Sequence, residues 1–177
     1  MFVKSLLKPS HAKQGALRLY AATVAAARAP DLYASFGAPD TPDGRFEIYT
    51  LYVLLVLGRL RAEGRRAASV AQAFFDAYIS GLDHGLRELA VGDLSVGKTM
   101  RKLGEAFYGR GKALDTALEQ LPDRSQLESL LVRTVLGGAH GADVAPLAAR
   151  ILADRDMLAA ASLGELLAGE LPWRVTA

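Results

Sequence analysis

Apolar residues recur at spacings of three and four along this chain, and no polar–apolar alternation persists long enough to make a strand. The clearest stripe, Val70, Phe74, Tyr78, Leu82, Leu86 and Leu89, predicts an amphipathic helix over residues 65–89. Val91-Gly92-Asp93 is a tight connection. The helix after it carries Val96, Met100, Leu103, Phe107, Leu114, Leu118 and Leu121 on one stripe, with Lys98, Arg101 and Lys102 off it, and ends at Pro122-Asp123.

Residues 11–29 form an alanine-rich helix with Leu17, Tyr20, Val24 and Ala27 on one side. Pro30 breaks it and suits the first turn of a short helix through Leu32, Tyr33 and Phe36. After a turn at 37–40, Thr41-Pro42-Asp43 offers a hydroxyl cap, a first-turn proline and an acid at the positive helix end. The helix that follows, to about Arg61, is apolar almost all round and belongs at the centre of the fold. Ser125 with Glu128 predicts a capping box for a helix to Leu136, and Ser162 with Glu165 predicts another for a short last helix. Between them lie a glycine-rich break at 137–141 and a helix over 142–161. Gly169 and Pro172 stop the last helix, and Trp173 folds back as an apolar plug. The reading is an all-α, single-domain helical bundle over 1–177, with 142–177 as a C-terminal helical segment. Its core is expected to hold Tyr52, Leu55, Phe74, Tyr78, Met100, Leu103 and Phe107.

Composition narrows the chemistry. The chain has 177 residues, 51% of them hydrophobic and 23% charged, as in a folded protein with a real core. It has no cysteine, hence no disulfide, thiolate nucleophile or zinc–thiolate site. The longest apolar run, residues 48–58, is too short to span a bilayer, and residues 1–7, interrupted by Lys4, make no signal peptide. Net charge is only +2 but uneven: residues 1–112 hold 16 Lys and Arg against 10 acids, and residues 113–177 hold 5 against 9. No acid precedes Asp31, so the basic start suits either a solvated face or contact with anionic lipid, RNA or an acidic partner.

One motif points to nucleotide chemistry. Residues 92–99 satisfy the phosphate-loop pattern G-x-x-x-x-G-K-[ST]. A working loop needs a strand before it, yet the helical stripe runs up to Leu89. The second magnesium carboxylate is also missing, since Asp154 in Ile-Leu-Ala-Asp sits inside helical periodicity. We therefore expect a helix end, a turn and a helix start there, and no nucleotide. His11, His84 and His140 are too scattered for a metal site. Asp40 and Asp43 read as turn and cap residues rather than an acid–base pair, and Ser10 and Ser35 have no histidine–acid partners in the sequence. Arg59, Arg61, Arg65 and Arg66 surround a helix connection and suit phosphate contacts, although no nucleic-acid motif accompanies them.

Two longer blocks carry a resemblance. The first is Pro39-Asp40-Thr41-Pro42-Asp43-Gly44-Arg45-Phe46-Glu47 with the apolar helix after it. The second runs from Asp83-His84-Gly85-Leu86-Arg87-Glu88 through Val91-Gly92-Asp93-Leu94-Ser95-Val96-Gly97-Lys98 and Met100-Arg101-Lys102 to Glu105-Ala106-Phe107-Tyr108-Gly109-Arg110. With Leu19-Tyr20 before an alanine-rich helix, these resemble the ubiquinol–cytochrome c chaperone family over residues 15–120. The resemblance implies an all-helical, non-enzymatic assembly factor without a cofactor, holding newly made cytochrome b for respiratory complex III. It also implies a small co-chaperone, contact with the ribosome, and a cytoplasmic place, peripheral at the inner membrane. The chain begins without the extension of mitochondrial members, which suits a bacterial protein. A chaperone of this kind holds an apolar segment in a groove between helices. Rim acids would meet the client's basic loops. The candidates are Asp40, Asp43, Glu47, Asp83, Glu88 and Asp93, with Arg45, Arg87 and Lys98 organising them. The same residues suit plain capping and pairing within the bundle, and a helical adaptor of another membrane- or ribosome-linked pathway is the alternative function.

Overall fold

The computed structural model describes residues 11–88, 93–139 and 141–173, without the side chains of 93–95. Among the described residues every regular element is helical: α1 (His11–Ala26), α2 (Pro30–Ala34), α3 (Pro42–Ala62), a 3₁₀ turn (Gly64–Arg66), α4 (Ala68–Glu88), α5 (Asp93–Glu119), α6 (Ser125–Thr134), α7 (Ala145–Ala160) and α8 (Leu163–Ala168). The all-α expectation holds. The expected connection at 89–92, like His140 and the first ten residues, lies outside the described residues.

Helix α3 is the axis of the fold. Residues 51–57 are buried without interruption, because α1, α4, α5 and α7 each pack against a different side of it. Thr41 starts it as expected, its hydroxyl accepting from the Gly44 N–H at 3.1 Å. The core includes Tyr52, Leu55, Phe74, Tyr78 and Phe107. Met100 and Leu103 are only half-buried, since the first turns of α5 run along the edge of the bundle.

Helices α1 and α6 also differ from the sequence expectation. On α1 the packed face is Ala16, Leu19, Thr23 and Ala26, and Leu17 is 45% exposed. Small residues let α1 lie close to its neighbours: a Cβ on Gly15 would stand 2.1 Å from the Leu167 carbonyl oxygen of α8. At α6, Ser125 is not the cap. The Asp123 carboxylate accepts from the Ser125 N–H at 2.9 Å and its hydroxyl at 3.0 Å, replacing the predicted capping box with a turn one step earlier. The box at Ser162 and Glu165 forms in full.

A buried polar network locks the C-terminal segment onto α3. Tyr52 donates to the carboxylate of Asp154, which is 1% exposed and also accepts from Arg150 Nε at 2.9 Å. Arg150 reaches on to Asp31 of α2 and lies 5.2 Å from the centre of the Phe36 ring. Burial opposes the Arg150 charge, but its bonds to Asp31 and Asp154 hold it protonated more firmly than usual. Trp173 donates from its indole to the Asp154 backbone carbonyl at 2.8 Å and packs edge-on against Tyr52, which is the predicted plug.

Candidate functional site

Helix α5 packs against α3 and α4. Phe107 is the pivot: its ring centre lies 5.0 Å from that of Tyr78 and 5.6 Å from that of Phe75. Gly111 meets the side chain of Leu54. Beside this contact the three helices leave a groove of about 650 Å³. Its floor is Leu54 and Leu57 of α3, Ala71 and Phe75 of α4, and Phe107 of α5. Arg61, Lys112, Asp115 and Glu119 border it, the first reaching Asp115 at 3.6 Å. Tyr108 stands at the mouth and is 70% exposed. An apolar floor with a mixed-charge border and an exposed aromatic suits an apolar helical segment rather than a polar metabolite.

None of the eight polar candidates whose side chains are described lines this groove. Seven gather at the opposite end of the same helices. Arg45 and Gly81 line one smaller cavity, of about 450 Å³, which puts the start of α3 beside the end of α4. Asp40 and Arg45 form an exposed ion pair, and the Arg45 guanidinium lies 5.2 Å from the Tyr33 ring centre. The hydrogen bond from Arg45 holds the Asp40 carboxyl below its usual range. Asp83 and Arg87 pair at 2.8 Å within α4, and this bond lowers the Asp83 pKa in the same way. Glu88 faces His84 at 3.2 Å, and Asp43 is exposed in the first turn of α3. Glu47 is different in kind: Arg110 of α5 grips it with two nitrogens, tying α5 to α3. Lys98 is exposed on α5, and Asp93 begins that helix, its side chain outside the described residues.

The smaller cavity has an aromatic wall. Tyr20 and Tyr49 bring their hydroxyls within 2.9 Å, and Tyr33 donates to the Ala27 carbonyl at 2.6 Å. Burial, and then the Tyr20 bond, push the Tyr49 hydroxyl far above its ordinary pKa, and burial raises Tyr33 as well. Tyr20 reaches this place because Gly81 has no side chain: a Cβ there would stand 2.1 Å from the Tyr20 oxygen.

The phosphate-loop pattern has helical geometry from Asp93 onward, so Gly97, Lys98 and Thr99 belong to α5 and not to a loop, and Gly92 lies outside the described residues. The arginines at the α3–α4 connection form no phosphate cradle either. Arg59 turns inward to the Leu158 and Ala161 carbonyls at 3.3 and 3.0 Å, and Arg59 and Arg66 both bind Glu63 at 2.7 Å. The groove itself was hidden from the sequence reading, because Leu54, Ala71 and Phe75 look like ordinary core positions. The one available signal was the mismatch at Tyr108, an aromatic on the charged side of α5.

A family model described as ubiquinol-cytochrome C chaperone matches residues 34–173. Among solved structures, the Cbp3 homolog from Brucella abortus is similar at 38% identity and a TM-score of 0.81, over 91% of this chain and 89% of that one. A comparison with curated proteins yields no match.

Proposed function

The chain belongs to the ubiquinol–cytochrome c chaperone family, and from that premise we propose that it holds newly made cytochrome b while complex III is assembled. The observation that carries this reading is the groove between α3, α4 and α5, apolar within and open to solvent beside Tyr108. A membrane protein awaiting insertion exposes apolar helices, and a concave apolar surface shields one of them reversibly. The polar end of the same helices, with Asp40, Asp43, Asp83 and Glu88, receives the basic loops that flank such a segment. Arg45 and Arg87 position those acids, and Glu47 acts through Arg110 by tying α3 to α5, two of the helices that form the groove. Asp93 and Lys98 belong to the same polar contact area. The role needs no catalytic group and no cofactor.

Among the described residues no helix is long and apolar enough to cross a membrane. We place the protein at the cytoplasmic face of the inner membrane, with a small co-chaperone and the ribosome as its further partners. A photo-crosslinker at Tyr108 should capture cytochrome b during its synthesis, and Ala71→Glu should abolish capture while leaving the helical circular dichroism intact. Asp83→Lys should weaken capture without unfolding. Cells lacking the protein should lose assembled complex III and keep the other respiratory complexes. Normal complex III in those cells, or crosslinks indifferent to Ala71→Glu, would overturn the reading.

A further inference from the structure

The outer face of α5 carries a basic stripe that runs well beyond the groove and meets it only at Tyr108 and Lys112. Lys98, Arg101, Lys102, Glu105, Tyr108, Gly109 and Lys112 follow one another at helical spacing, and all are exposed. The stripe holds four cations and one acid, a balance of +3 over roughly 21 Å of helix. Among the described residues none of the four cations makes an ion pair, in contrast to Arg45, Arg59, Arg61, Arg66, Arg110, Arg150 and Arg155. This one helix face therefore gathers four cations without ion-pair partners, and Tyr108, the most exposed large apolar side chain among the described residues, sits in it.

We infer that this face rests on an anionic bilayer surface. Charge complementarity selects the partner: the cations lie on a convex helix, where a plane of lipid phosphates reaches all four together. A tyrosine among them suits the headgroup layer, with its ring inward and its hydroxyl wet. Single-stranded RNA fits less well, because its usual platforms stack successive bases on several aromatics, and this stripe offers one. Tyr108 and Lys112 belong to both the stripe and the groove border, so docking would turn the mouth of the groove toward the membrane. This orientation rests on the client reading above. The surface contact itself does not.

Each basic residue near an anionic surface contributes about fivefold to partitioning, so a +3 stripe gives on the order of 100-fold preference for anionic over neutral lipid at moderate salt. The test is co-sedimentation of the full chain with vesicles of phosphatidylglycerol and phosphatidylcholine against phosphatidylcholine alone. Wild type should pellet with the anionic vesicles only, and added salt should release it. Arg101→Glu with Lys102→Glu brings the stripe from +3 to −1 and should remove the preference without changing the melting temperature, since both side chains are exposed. A Tyr108→Trp variant reports the site directly. Its emission should shift blue on anionic vesicles and be quenched by brominated lipid, over a constant background from buried Trp173.

Equal binding to neutral vesicles, full binding by the double variant, or an unshifted Tyr108→Trp emission overturns the inference. So does stripe-dependent binding of a 30-nucleotide uridine RNA in place of vesicles. Failure of the client reading looks different: vesicle binding and its loss in the double variant persist while the Tyr108 crosslinker captures no cytochrome b.

Discussion

Gly81→Ala tests how tightly the aromatic wall is built. In a helix interior the change to alanine normally stabilises by about 1 kcal/mol. Here the new Cβ would stand 2.1 Å from Tyr20 Oη, so the tyrosine has to leave. It would give up the 2.9 Å hydroxyl contact with Tyr49, valued at about 0.5–1.5 kcal/mol. It would also give up edge-on contacts with the Tyr49 and Phe74 rings, at centroid distances of 6.4 and 6.3 Å, each of similar value. Loss exceeds gain, and the expected net destabilisation is about 1–3 kcal/mol. Tyr20→Phe alone should cost about 0.5–1.5 kcal/mol. In the double variant the clashing oxygen is gone, and the nearest remaining atom, the ring carbon Cζ, lies 3.2 Å from the Cβ position. That gap is relieved by a small ring shift, so the double variant should be more stable than Gly81→Ala alone. Urea titrations of the four proteins give the coupling energy directly. Additive effects, or a stabilised Gly81→Ala, would show that Tyr20 is not held where the packing argument needs it.

Leu55 is 5% exposed and does not line the groove, so Leu55→Ala should cost about 2–5 kcal/mol in a denaturant titration and spare client capture; a change under about 0.5 kcal/mol would refute its burial. Tyr52→Phe removes one of the partners of the buried Asp154 carboxylate, whose second oxygen already lacks a partner, and should cost about 1.5–3 kcal/mol; an unchanged urea midpoint would count against the network. Stability should also fall at both ends of the pH scale. Asp40, Glu63, Asp83, Asp123 and Glu165 have depressed pKa values, so their contributions are present above the unfolded carboxylate range near 4 and are lost as pH drops through the folded values. Tyr49, Tyr52 and Tyr78 are raised by burial, so folding loses stability as pH climbs past about 10, where the unfolded phenols ionise. Thermal melts from pH 3 to 11 should trace both slopes, and a melting temperature that rises toward either end contradicts them.

Most of the fold was legible in the sequence because its signals are local. The stripe from Val70 to Tyr78, the Thr41 cap and the Ser162 box each involve residues within a turn or two of one another. The failures come from competing contacts that helical periodicity and cap motifs do not encode. Leu17 lost the inner face of α1 because Gly15 and Ala16 let the helix approach its neighbours more closely on the other side. Ser125 lost its capping role because a carboxylate two residues earlier is the better acceptor for its N–H. Asp154 resembled a stray acid in a helix and proved to be the centre of a buried network, since Tyr52 and Trp173 reach it from separate parts of the chain and join its helix neighbour Arg150.

The groove was the least legible feature in the sequence, because it exists through how α5 is placed against α3 and α4 and not through any one residue's character. That placement is held by three contacts distant in sequence: Phe107 between Phe75 and Tyr78, Gly111 against Leu54, and Arg110 gripping Glu47. Glu47 was singled out in the sequence as a rim acid. Its half-buried, two-pronged bond suits a brace far better than a client contact, for it is already satisfied by Arg110. The polar residues that mark the chain so visibly therefore divide by position. The exposed pairs at the start of α3 and the end of α4 are held weakly, because water screens them. The Glu47–Arg110 pair is better shielded from water and ties α3 to α5.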